Sequence, residues 1–303
     1  MNDKTISKEA PENILKCWNL SGTAEQIYST AWQVNDKYVL KRYEDLETLK
    51  KNAEMLTVLH EMGIPVAEII PVPSGDPYAC CDERYYMLSK KLPGNNETDI
   101  KQEGIAEKMG EILGRLHLAF RKCEERLELW DNSLLDEMNG WVAESLSREK
   151  WLDEETFRRV VGNLQDGYDR IPRQLIHRDV HFGNFLFDHG EFSGYIDFDL
   201  SQKNIRIFDI CYFLTGLLSS QIGSGLDTEE WLRIVKDAAA GYEKWIPLLP
   251  EEKRAFPYVM ENIELLFAAY FNLPEQADFR NNALKMFYFV RGQEAQIHKM
   301  LEE

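Results

Sequence analysis

The sequence has few cysteines and no long apolar segment. Its 303 residues contain five cysteines, an odd number with no CxxC pair, which disfavours a disulfide framework. No run approaches the roughly 20 apolar residues of a transmembrane helix. The first 18 residues carry scattered charges and lack the apolar core of a signal peptide. We therefore expect a cytoplasmic protein with reduced thiols and no membrane partner, in which Cys211 is the clearest buried cysteine.

Positive charge is also scarce. The chain has 35 Lys and Arg against 52 Asp and Glu, a formal net charge of −17. A surface this acidic repels a polyanionic backbone, so a nucleic-acid partner is not expected. The acidic excess is compatible with a cationic substrate.

The order of predicted elements is β-rich first and helical second. Residues 24–43 form two predicted strands around a turn at 35–37, and a helix follows over 45–62. Two further strands, PVAEIIPV and RYYMLSKKL, flank a Pro/Gly-rich loop over 73–83. Helices dominate after LPGNNETD, interrupted by the hairpin NFLFDHGEFSGYIDFD. This pattern predicts an α+β protein, with residues 1–92 as a first domain and 93–303 as a second.

The segment LIHRDVHFGNFLFDHGEFSGYIDFD carries the chemistry. It contains H-R-D-x-x-x-x-N, with Asp179 and Asn184 as its last two fixed positions, the pattern of a kinase catalytic loop. If the hairpin turns around Gly190, residue 184 lies opposite residue 195 or 196, which brings Asn184 and Asp197 to its open end.

That arrangement suits phosphoryl transfer. Asn184 and Asp197 offer the oxygen ligands that Mg²⁺ prefers, and Asp179 can accept the proton of an attacking hydroxyl. The sequence has no GxxxxGK[ST] motif, so a Walker-type ATPase is not expected.

With these motifs the chain resembles the aminoglycoside phosphotransferase and choline kinase family. His181 supplies the second histidine of the family's H-x-D-x-H-x-x-N loop, residues 113–117 match its Leu-x-x-Leu-His pattern, and Asp209 matches a later aspartate. The resemblance implies a bilobal protein-kinase-like fold, with a small β-rich N-terminal lobe and a larger, mainly helical C-terminal lobe. It also implies ATP (or GTP) and Mg²⁺ as cofactors and a small-molecule hydroxyl as acceptor.

The resemblance assigns further residues to the nucleotide. Lys41 in YVLKRY is the expected phosphate-binding lysine. Its expected partner is Glu54, with Glu47 as competitor, although helical periodicity places Glu54 away from the apolar stripe. Five more residues are expected near ATP, three in the loop before the first strand and two where adenine docks: Ser21, Gly22, Thr23, Leu88 and Ser89.

Four residues have two open interpretations each. His177 and His181 either anchor the catalytic loop or take part in proton transfer. Asp209 is either only a cap of the following helix or also, as the resemblance implies, a brace of the catalytic loop, and both roles can hold together. Asp199 is either a second metal or substrate contact or a solvated loop residue.

The acceptor is not identified by the sequence. Aromatic rings favour quaternary ammonium groups and carboxylates favour amines, and both occur in the last third of the chain. The acidic excess favours an amine-bearing substrate. The residues considered for this pocket are Trp231, Tyr242, Trp245, Glu261, Glu264, Tyr270 and Phe271.

Three other functions stay open. A protein Ser/Thr kinase would share the same fold. A non-catalytic pseudokinase would bind nucleotide without turnover. A metal-dependent hydrolase is suggested by the spacing of His177, Asp179 and His181, but such sites usually recruit further histidines, and none of the other four has a ligand-like spacing.

Overall fold

The computed structural model describes residues 11–96, 99–221 and 226–302. Residues 1–10 and 97–98, part of the N-terminal segment and of the predicted LPGNNETD connection, lie outside the described residues. The chain divides into two compact units. The first comprises Met1–Asn96 and Phe185–Asp199, and the second comprises Glu97–Asn184 and Leu200–Glu303.

The first unit is built on an antiparallel sheet in the order β1-β2-β3-β6-β4, with β5 paired to β6. Its core includes Leu40 and Leu88, which face each other across β3 and β6 and are fully buried. The elements are α1 Pro11–Ile14, a 3₁₀ turn Leu15–Trp18, β1 Ala24–Tyr28, β2 Ala31–Val34, β3 Tyr38–Tyr43, α2 Leu46–Glu61, β4 Ile69–Ile70, β5 Ala79–Cys81 and β6 Arg84–Lys90.

Two details of this sheet correct the prediction. Residues 24–34 form two strands rather than one, because the chain turns at residues 29–30 and the register shifts between Gln26 and Tyr28. The loop predicted over 73–83 contains β5. The predicted turn at 35–37 is confirmed, and Asn35 and Asp36 adopt the left-handed conformation that such hairpin turns require.

Helix α2 begins and ends as its sequence predicts. The Asp45 carboxylate accepts a hydrogen bond from the Thr48 amide at 2.7 Å and so caps the first turn. Beyond the C-terminus, Gly63 has a φ of 73°. The buried face includes Leu49 and Ala53, and it also contains the polar residue Asn52.

The hairpin that follows the catalytic loop is part of the first unit. It consists of β8 Phe185–Asp188 and β9 Glu191–Tyr195, and Phe185 lies opposite Tyr195. This register agrees with the prediction made from a turn at Gly190. The hairpin is joined to the rest of the unit by backbone hydrogen bonds from the Tyr195 amide to Pro65 O at 2.9 Å and between Asn95 and Phe187.

The second unit is mainly helical. It also contains a short antiparallel pair that was not predicted, β7 Arg173–Ile176 with β10 Gln202–Ile205. The helices are α3 Ile105–Glu124, α4 Leu134–Glu137, a π-helical turn Met138–Val142, α5 Ala143–Glu149, α6 Glu154–Gln165, α7 Ile207–Gln221, α8 Thr228–Glu243, α9 Pro250–Tyr270, α10 Ala277–Gly292 and α11 Glu294–Glu302. Shorter 3₁₀ turns span Tyr168–Arg170, Phe182–Asn184 and Pro274–Gln276.

Helices α3 and α8 approach each other through two glycines. A Cβ at Gly110 would collide with the carbonyl oxygen of Ala238, and a Cβ at Gly241 would collide with that of Glu107. The two backbones therefore touch where neither residue has a side chain. This packing fixes α3, whose last two turns contain His117 and Phe120, both fully buried.

The predicted fold class is confirmed: a β-rich first part precedes a mainly helical second part. None of the five cysteines, all of which lie within the described residues, forms a disulfide bond, and Cys211 is fully buried as predicted. Within residues 11–96, 99–221 and 226–302, no helix is both long and apolar enough to cross a membrane.

Candidate active site

Asp179 is surrounded by hydrogen-bond donors of the second unit. Its Oδ1 accepts a hydrogen bond from the Tyr212 hydroxyl at 3.0 Å, and its Oδ2 accepts one from Asn184 Nδ2 at 3.0 Å. His181 Nε2 lies 3.5 Å from Oδ2, while the Gly183 amide donates to His181 Nδ1 at 3.0 Å. With Nδ1 as acceptor, Nε2 carries the proton and faces the carboxylate.

These donors keep Asp179 ionised. Burial raises the pKa of a carboxyl group, but hydrogen bonds from His181 and Tyr212 outweigh burial here and lower the pKa of Asp179 below its ordinary value. The Tyr212 phenol stays protonated, because burial and the neighbouring Asp179 charge both raise its pKa. Asp179 is therefore an anion held in one orientation, with each carboxylate oxygen engaged.

The loop that carries Asp179 is fixed by Asp209. The Asp209 carboxylate accepts backbone hydrogen bonds from His177 and Arg178, each at 2.8 Å, and one from His117 Nε2 at 2.9 Å. On the other side of the His117 ring, Nδ1 lies 2.8 Å from the Tyr242 hydroxyl. Asp209 is inside the first turn of α7 rather than at its cap. Of the two interpretations, the contacts favour the loop brace.

His177 is buried next to the same loop. Its side chain is fully buried, and its Nδ1 accepts a long hydrogen bond of 3.4 Å from the Asp179 amide. His181, by contrast, is half exposed. These positions favour an anchoring role for His177 and place the His181 ring beside the Asp179 carboxylate.

In the first unit, Lys41 lies at the centre of a charged cluster. Its Nζ is 2.9 Å from Asp197 Oδ1 and 2.7 Å from Asp199 Oδ2. Asn52 Nδ2 donates to Asp199 Oδ1 at 2.5 Å and lies 3.4 Å from the Tyr43 hydroxyl. Asp197 has a φ of 63°, which few residues other than glycine adopt.

Electrostatics hold Lys41 firmly in its charged state. Burial acts to lower the pKa of the ammonium, but the surrounding oxygens of Tyr43, Asp199 and Asp197 raise it well above its ordinary value. Burial, the larger influence on the tyrosine, raises the pKa of Tyr43 to about 12, so its hydroxyl stays protonated. The cluster thus combines one cation with two carboxylates.

Glu54, the predicted partner of Lys41, is not part of this cluster. Glu54 and its competitor Glu47 are both exposed on α2, and the ion pairs that Lys41 forms within the described residues run to Asp197 and Asp199. Asn52 lies on the buried face of α2, and its side chain contacts Asp199, one of the two carboxylates that pair with Lys41. This placement corrects the predicted Lys41–Glu54 pair.

The loop predicted to cover the phosphates is held by Asn35. The Thr23 amide donates to Asn35 Oδ1 at 3.2 Å, and Asn35 Nδ2 donates to Ser21 O at 3.0 Å. Gly22 is required between them, because a Cβ there would collide with the Asn35 side chain. Ser21, Gly22 and Thr23 are all exposed, so the loop is shaped by a turn residue on the neighbouring hairpin.

Leu88 and Ser89 lie inside the sheet. Both are buried on β6, where β3 and β4 flank them on both sides. Their backbone groups are therefore engaged in the sheet, and the prediction that adenine docks on them remains a prediction.

The residues predicted to bind a divalent cation fit one in chemistry. Asn184 turns its amide nitrogen toward Asp179, which leaves the amide oxygen as the group for a cation, and Asp197 supplies a carboxylate. A carboxylate and an amide oxygen are hard ligands of the kind that Mg²⁺ uses together with substrate phosphates. No group of three or more His, Cys, Asp or Glu side chains within the described ranges is arranged to hold a metal ion.

The residues considered for the acceptor pocket include both buried and exposed side chains. Trp231 and Tyr242 are fully buried, whereas Trp245 and Tyr270 are exposed and Phe271 is partly buried. The remaining two, Glu261 and Glu264, are buried carboxyl groups on α9.

Glu264 lies close to α7, the helix that carries Tyr212. It contacts Thr215, one helical turn from Tyr212 on α7, and its charge acts on the Tyr212 hydroxyl. Burial raises the pKa of Glu264 to about 8. Within the described residues, no positively charged side chain lowers that pKa again. Burial also raises the pKa of Glu261 to about 8, but Glu261 faces Glu294 instead.

Three of the residues that shape the site were not predicted from the sequence: Asn52, Tyr43 and Tyr212. Asn52 has a signal that could have been found, since a polar residue on the apolar stripe of α2 requires a buried partner. Tyr43 and Tyr212 had no such signal, because tyrosines on strands and helices usually only pack.

Comparison with known proteins gives a consistent picture. The model of the phosphotransferase enzyme family matches residues 21–251. A homoserine kinase of Polaromonas naphthalenivorans is 26% identical over 259 residues, which cover 81% of this chain and 78% of that protein. A homoserine kinase of Methylobacillus flagellatus is 27% identical over 221 residues, which cover 68% of this chain and 67% of that protein.

Solved structures share the fold. The amicoumacin kinase hAmiN, in complex with AMP-PNP and Ca²⁺, has a TM-score of 0.64 at 16% identity and covers 91% of this chain and 88% of that one. A microcompartment-associated aminopropanol kinase has a TM-score of 0.63 at 14% identity and covers 95% of this chain and 97% of that one. An aminoglycoside phosphotransferase of Alicyclobacillus acidocaldarius has a TM-score of 0.65 at 14% identity, with 92% of each chain covered.

Proposed function

The chain belongs to the phosphotransferase enzyme family, and we propose that it transfers the γ-phosphate of ATP (or GTP) to the hydroxyl group of a small amine-bearing alcohol. Homoserine is the first candidate, because the relatives that cover most of this chain are homoserine kinases. The observation that carries the proposal is the Asp179 carboxylate, ionised and oriented by three donors on a loop that Asp209 fixes.

Asp179 is proposed as the base. The acceptor oxygen attacks the γ-phosphorus, the bond from that phosphorus to the β–γ bridging oxygen breaks, and the proton of the hydroxyl passes to Asp179. Because the transition state of phosphoryl transfer is loose, positioning of the hydroxyl matters more than strong basicity. An oriented carboxylate with a lowered pKa suits this role.

Lys41 is proposed to bind the phosphates of the nucleotide. It is charged, and its two ion pairs are with carboxylates that a bound phosphate group could replace as partners. Asn184 and Asp197 would hold Mg²⁺, which supplies charge neutralisation on the phosphate oxygens. Ser21, Gly22, Thr23, Leu88 and Ser89 are proposed as the remaining nucleotide contacts.

Glu264 supports an acceptor that bears an amine. A buried carboxyl group with no cationic partner is costly, and such groups concentrate at functional sites. An ammonium group of the acceptor would provide the missing partner, and its binding would drive Glu264 to release its proton. Glu264 contacts Thr215, which lies one helical turn from Tyr212 on α7, and Tyr212 is the residue that orients Asp179. An amine bound at Glu264 would therefore lie close to the proposed base.

The first experiment measures Mg²⁺-dependent ATP turnover with a panel of acceptors: homoserine, choline, aminopropanol and kanamycin. We expect homoserine to give the highest kcat/KM, and Asp179→Asn to reduce kcat by about 10²- to 10⁴-fold, the usual worth of a general base. Asp188→Asn, on the exposed hairpin turn, is the matched control. Full turnover in Asp179→Asn would remove Asp179 from this role, and nucleotide binding without turnover on any acceptor would favour a pseudokinase.

A second experiment tests the amine. We expect Glu264→Gln to raise the KM for homoserine about tenfold, because a charge-assisted hydrogen bond contributes about 1.5–3 kcal/mol. The KM for 4-hydroxybutyrate, which lacks the amine, should hardly change. Glu261→Gln is the control, since Glu261 is also a buried carboxyl group on α9 but lies near the charges of Glu294 and Arg159. Equal effects on both acceptors would exclude Glu264 as the amine partner.

The cytoplasm, where ATP is supplied, is the compartment that we propose for this reaction. Fractionation of cells that express the chain, followed by the turnover assay on each fraction, tests this assignment. Activity confined to the membrane fraction would contradict it.

A further inference from the structure

The residue before the proposed base has an unusual backbone. Arg178 has a φ of 68°, in the left-handed region that non-glycine residues rarely enter. Such a conformation is unfavourable on its own and persists only where neighbouring contacts enforce it. Asp179 follows directly, so the direction of its side chain depends on what holds Arg178 in this conformation.

The side chain of Arg178 is held from a distant part of the second unit. Its Nη2 donates to both carboxylate oxygens of Glu137, at 2.8 Å and 3.0 Å. Both side chains are largely buried, with 15% of Arg178 and 12% of Glu137 exposed. The guanidinium also lies over the Phe208 ring, 5.2 Å from its centre. A shielded charge pair of this kind is far stronger than an exposed one.

Glu137 itself is well placed to serve as an anchor. It is the last residue of α4, whose first turn is capped by the Ser133 side chain, which accepts from the Asp136 amide at 3.2 Å. The Leu134 amide at the start of α4 donates to Asn204 Oδ1 at 3.2 Å, which ties the helix to β10. Glu137 is thus held by contacts that do not involve the catalytic loop.

Asp209 and Glu137 act on different parts of the same loop. Asp209 binds the backbone amides of His177 and Arg178, while Glu137 binds the Arg178 side chain. The Asp209 contacts fix where the loop passes. On the other side of Arg178, the Asp179 amide donates a long hydrogen bond to His177 Nδ1, and the Asp179 carbonyl oxygen accepts one from Asn184 Nδ2 at 2.9 Å. The Glu137 ion pair adds a restraint on the side chain of the residue between them.

We propose that Glu137 is a positioning residue for phosphoryl transfer: through its two-oxygen ion pair with Arg178 it holds the left-handed backbone that aims Asp179. It does not contact the reacting atoms, and its effect reaches them through Arg178. The proposal rests on Asp179 as the base of the proposed function. Because the partner of Arg178 is supplied within the chain, the loop is held without an added anion.

The test compares Glu137→Gln, Glu137→Asp and Glu137→Ala by steady-state kinetics with ATP, Mg²⁺ and homoserine. We expect Glu137→Gln to reduce kcat about 10- to 100-fold, since a displacement of about 1 Å can cost 10²-fold, while the KM for ATP stays within about twofold. Glu137→Asp, which keeps the charge, should recover part of kcat. Glu154→Gln is the control, because Glu154 forms an exposed ion pair with Arg158.

Chemical rescue separates positioning from simple loss of structure. Added acetate or propionate should raise kcat of Glu137→Ala several-fold by occupying the space beside Arg178, and should leave the wild type unchanged. If Glu137→Ala does not fold, the exchanged pair Glu137→Arg with Arg178→Glu replaces it, and recovery of kcat above either single variant supports the proposal. Absence of rescue in Glu137→Ala, or of recovery where the exchanged pair replaces it, overturns the proposal, as does a change in KM with kcat unaltered.

Hydrogen exchange provides a readout that does not require turnover. We expect the amides of residues 177–184 to exchange at least tenfold faster in Glu137→Gln, with no change in the amides of β1–β3. If the wild type shows no turnover with any acceptor, the proposed function fails, while faster exchange still supports the anchoring contact. Unchanged exchange together with lost turnover overturns the positioning role.

Discussion

Tyr212 donates a hydrogen bond of 3.0 Å from its hydroxyl to Oδ1 of Asp179. The phenol reaches Asp179 from α7, the helix that also contributes Asp209 to the loop. Its ring is fixed on both sides, stacked with Phe208 at 6.1 Å and packed against Phe267 at 5.5 Å between ring centres. One helix therefore positions the backbone of the catalytic loop and the side chain of its aspartate.

Tyr212→Phe should lower kcat while leaving the fold intact. The change removes the hydroxyl and keeps the packing against Phe208 and Phe267, so Asp179 loses one orienting donor. A hydrogen bond to a charged group contributes about 1.5–3 kcal/mol. We expect kcat to fall about tenfold, which corresponds to the lower end of this range. The KM for ATP should change little in the same steady-state assay.

Tyr258→Phe is the control for that measurement. Tyr258 also donates to a carboxylate, Glu294 Oε1 at 2.8 Å, but not within the Asp179 cluster. Equal losses of kcat in both variants would show that the effect of Tyr212 is general destabilisation.

Asn52→Leu should weaken nucleotide use more than Glu54→Gln. Asn52 orients Asp199, which pairs with Lys41, whereas Glu54 is exposed on the other face of α2. We expect kcat/KM for ATP to fall about tenfold in Asn52→Leu, because the Asp199 carboxylate loses a hydrogen bond and is free to turn. Glu54→Gln should stay within about twofold.

Comparing the loss of kcat/KM for ATP in Asn52→Leu with that in Glu54→Gln decides which residue supports Lys41. A larger loss in Glu54→Gln would mean that the helix turns Glu54 toward Lys41 when nucleotide binds, and the sequence-based assignment would be restored. Isothermal titration with a non-hydrolysable ATP analogue measures the binding part of each effect directly.

Prediction from the sequence succeeded where the chemistry is local. Asp179 and Asn184 are separated by five positions, so the loop motif alone brought them together, and the spacing of the hairpin gave the register of Phe185 with Tyr195. Prediction was less successful where a contact depends on which residue of a helix faces inward. Helical periodicity places Glu54 outside the apolar stripe of α2, and the structure agrees with the periodicity rather than with the resemblance.

Long-range polar contacts left no trace in the sequence. Glu137 and Arg178 are 41 positions apart, and no spacing rule relates a residue at the end of a short helix to a later loop. The same holds for Glu264, whose burial follows from the packing of α7 on α9 rather than from its neighbours in sequence. Such contacts are decided by tertiary packing, which a single sequence does not encode in any periodic pattern.

The buried ion pair between Arg206 and Glu252 should be essential for the stability of the second unit. Arg206 Nε donates to Glu252 Oε1 at 2.6 Å, and the Leu249 amide donates to Glu252 Oε2 at 2.8 Å at the start of α9. Glu252→Ala leaves a buried guanidinium without its counter-charge, which typically costs about 3–5 kcal/mol. Urea unfolding followed by circular dichroism measures this loss.

Removing both charges at once should be much less harmful. Replacing Arg206 by Met and Glu252 by Leu together takes away both desolvation penalties, so we expect the double variant to be more stable than Glu252→Ala alone. The exposed pair of Arg158 and Glu154 serves as comparison, since its removal should hardly shift the unfolding midpoint. A double variant as unstable as the single one would contradict this account.

Glu264→Gln should stabilise the protein at alkaline pH and have little effect in acid. Burial raises the pKa of Glu264 to about 8 in the folded chain, against an ordinary value of 4.5 when unfolded. Between these values the folded state binds more protons, so the free energy of unfolding decreases as pH rises. Thr215 and Tyr212 on α7 are the polar groups near this carboxyl group, and neither supplies a positive charge.

Thermal unfolding at pH 5 and pH 9 measures the difference. One pKa unit corresponds to about 1.4 kcal/mol, and the shift from 4.5 to about 8 acts almost in full at pH 9. We therefore expect Glu264→Gln to gain up to about 5 kcal/mol over the wild type at pH 9 and less than about 1 kcal/mol at pH 5. Saturating homoserine should reduce the gain, because an ammonium beside Glu264 stabilises its ionised form in the wild type only. A gain of equal size at both pH values would show that Glu264 does not titrate in the folded chain.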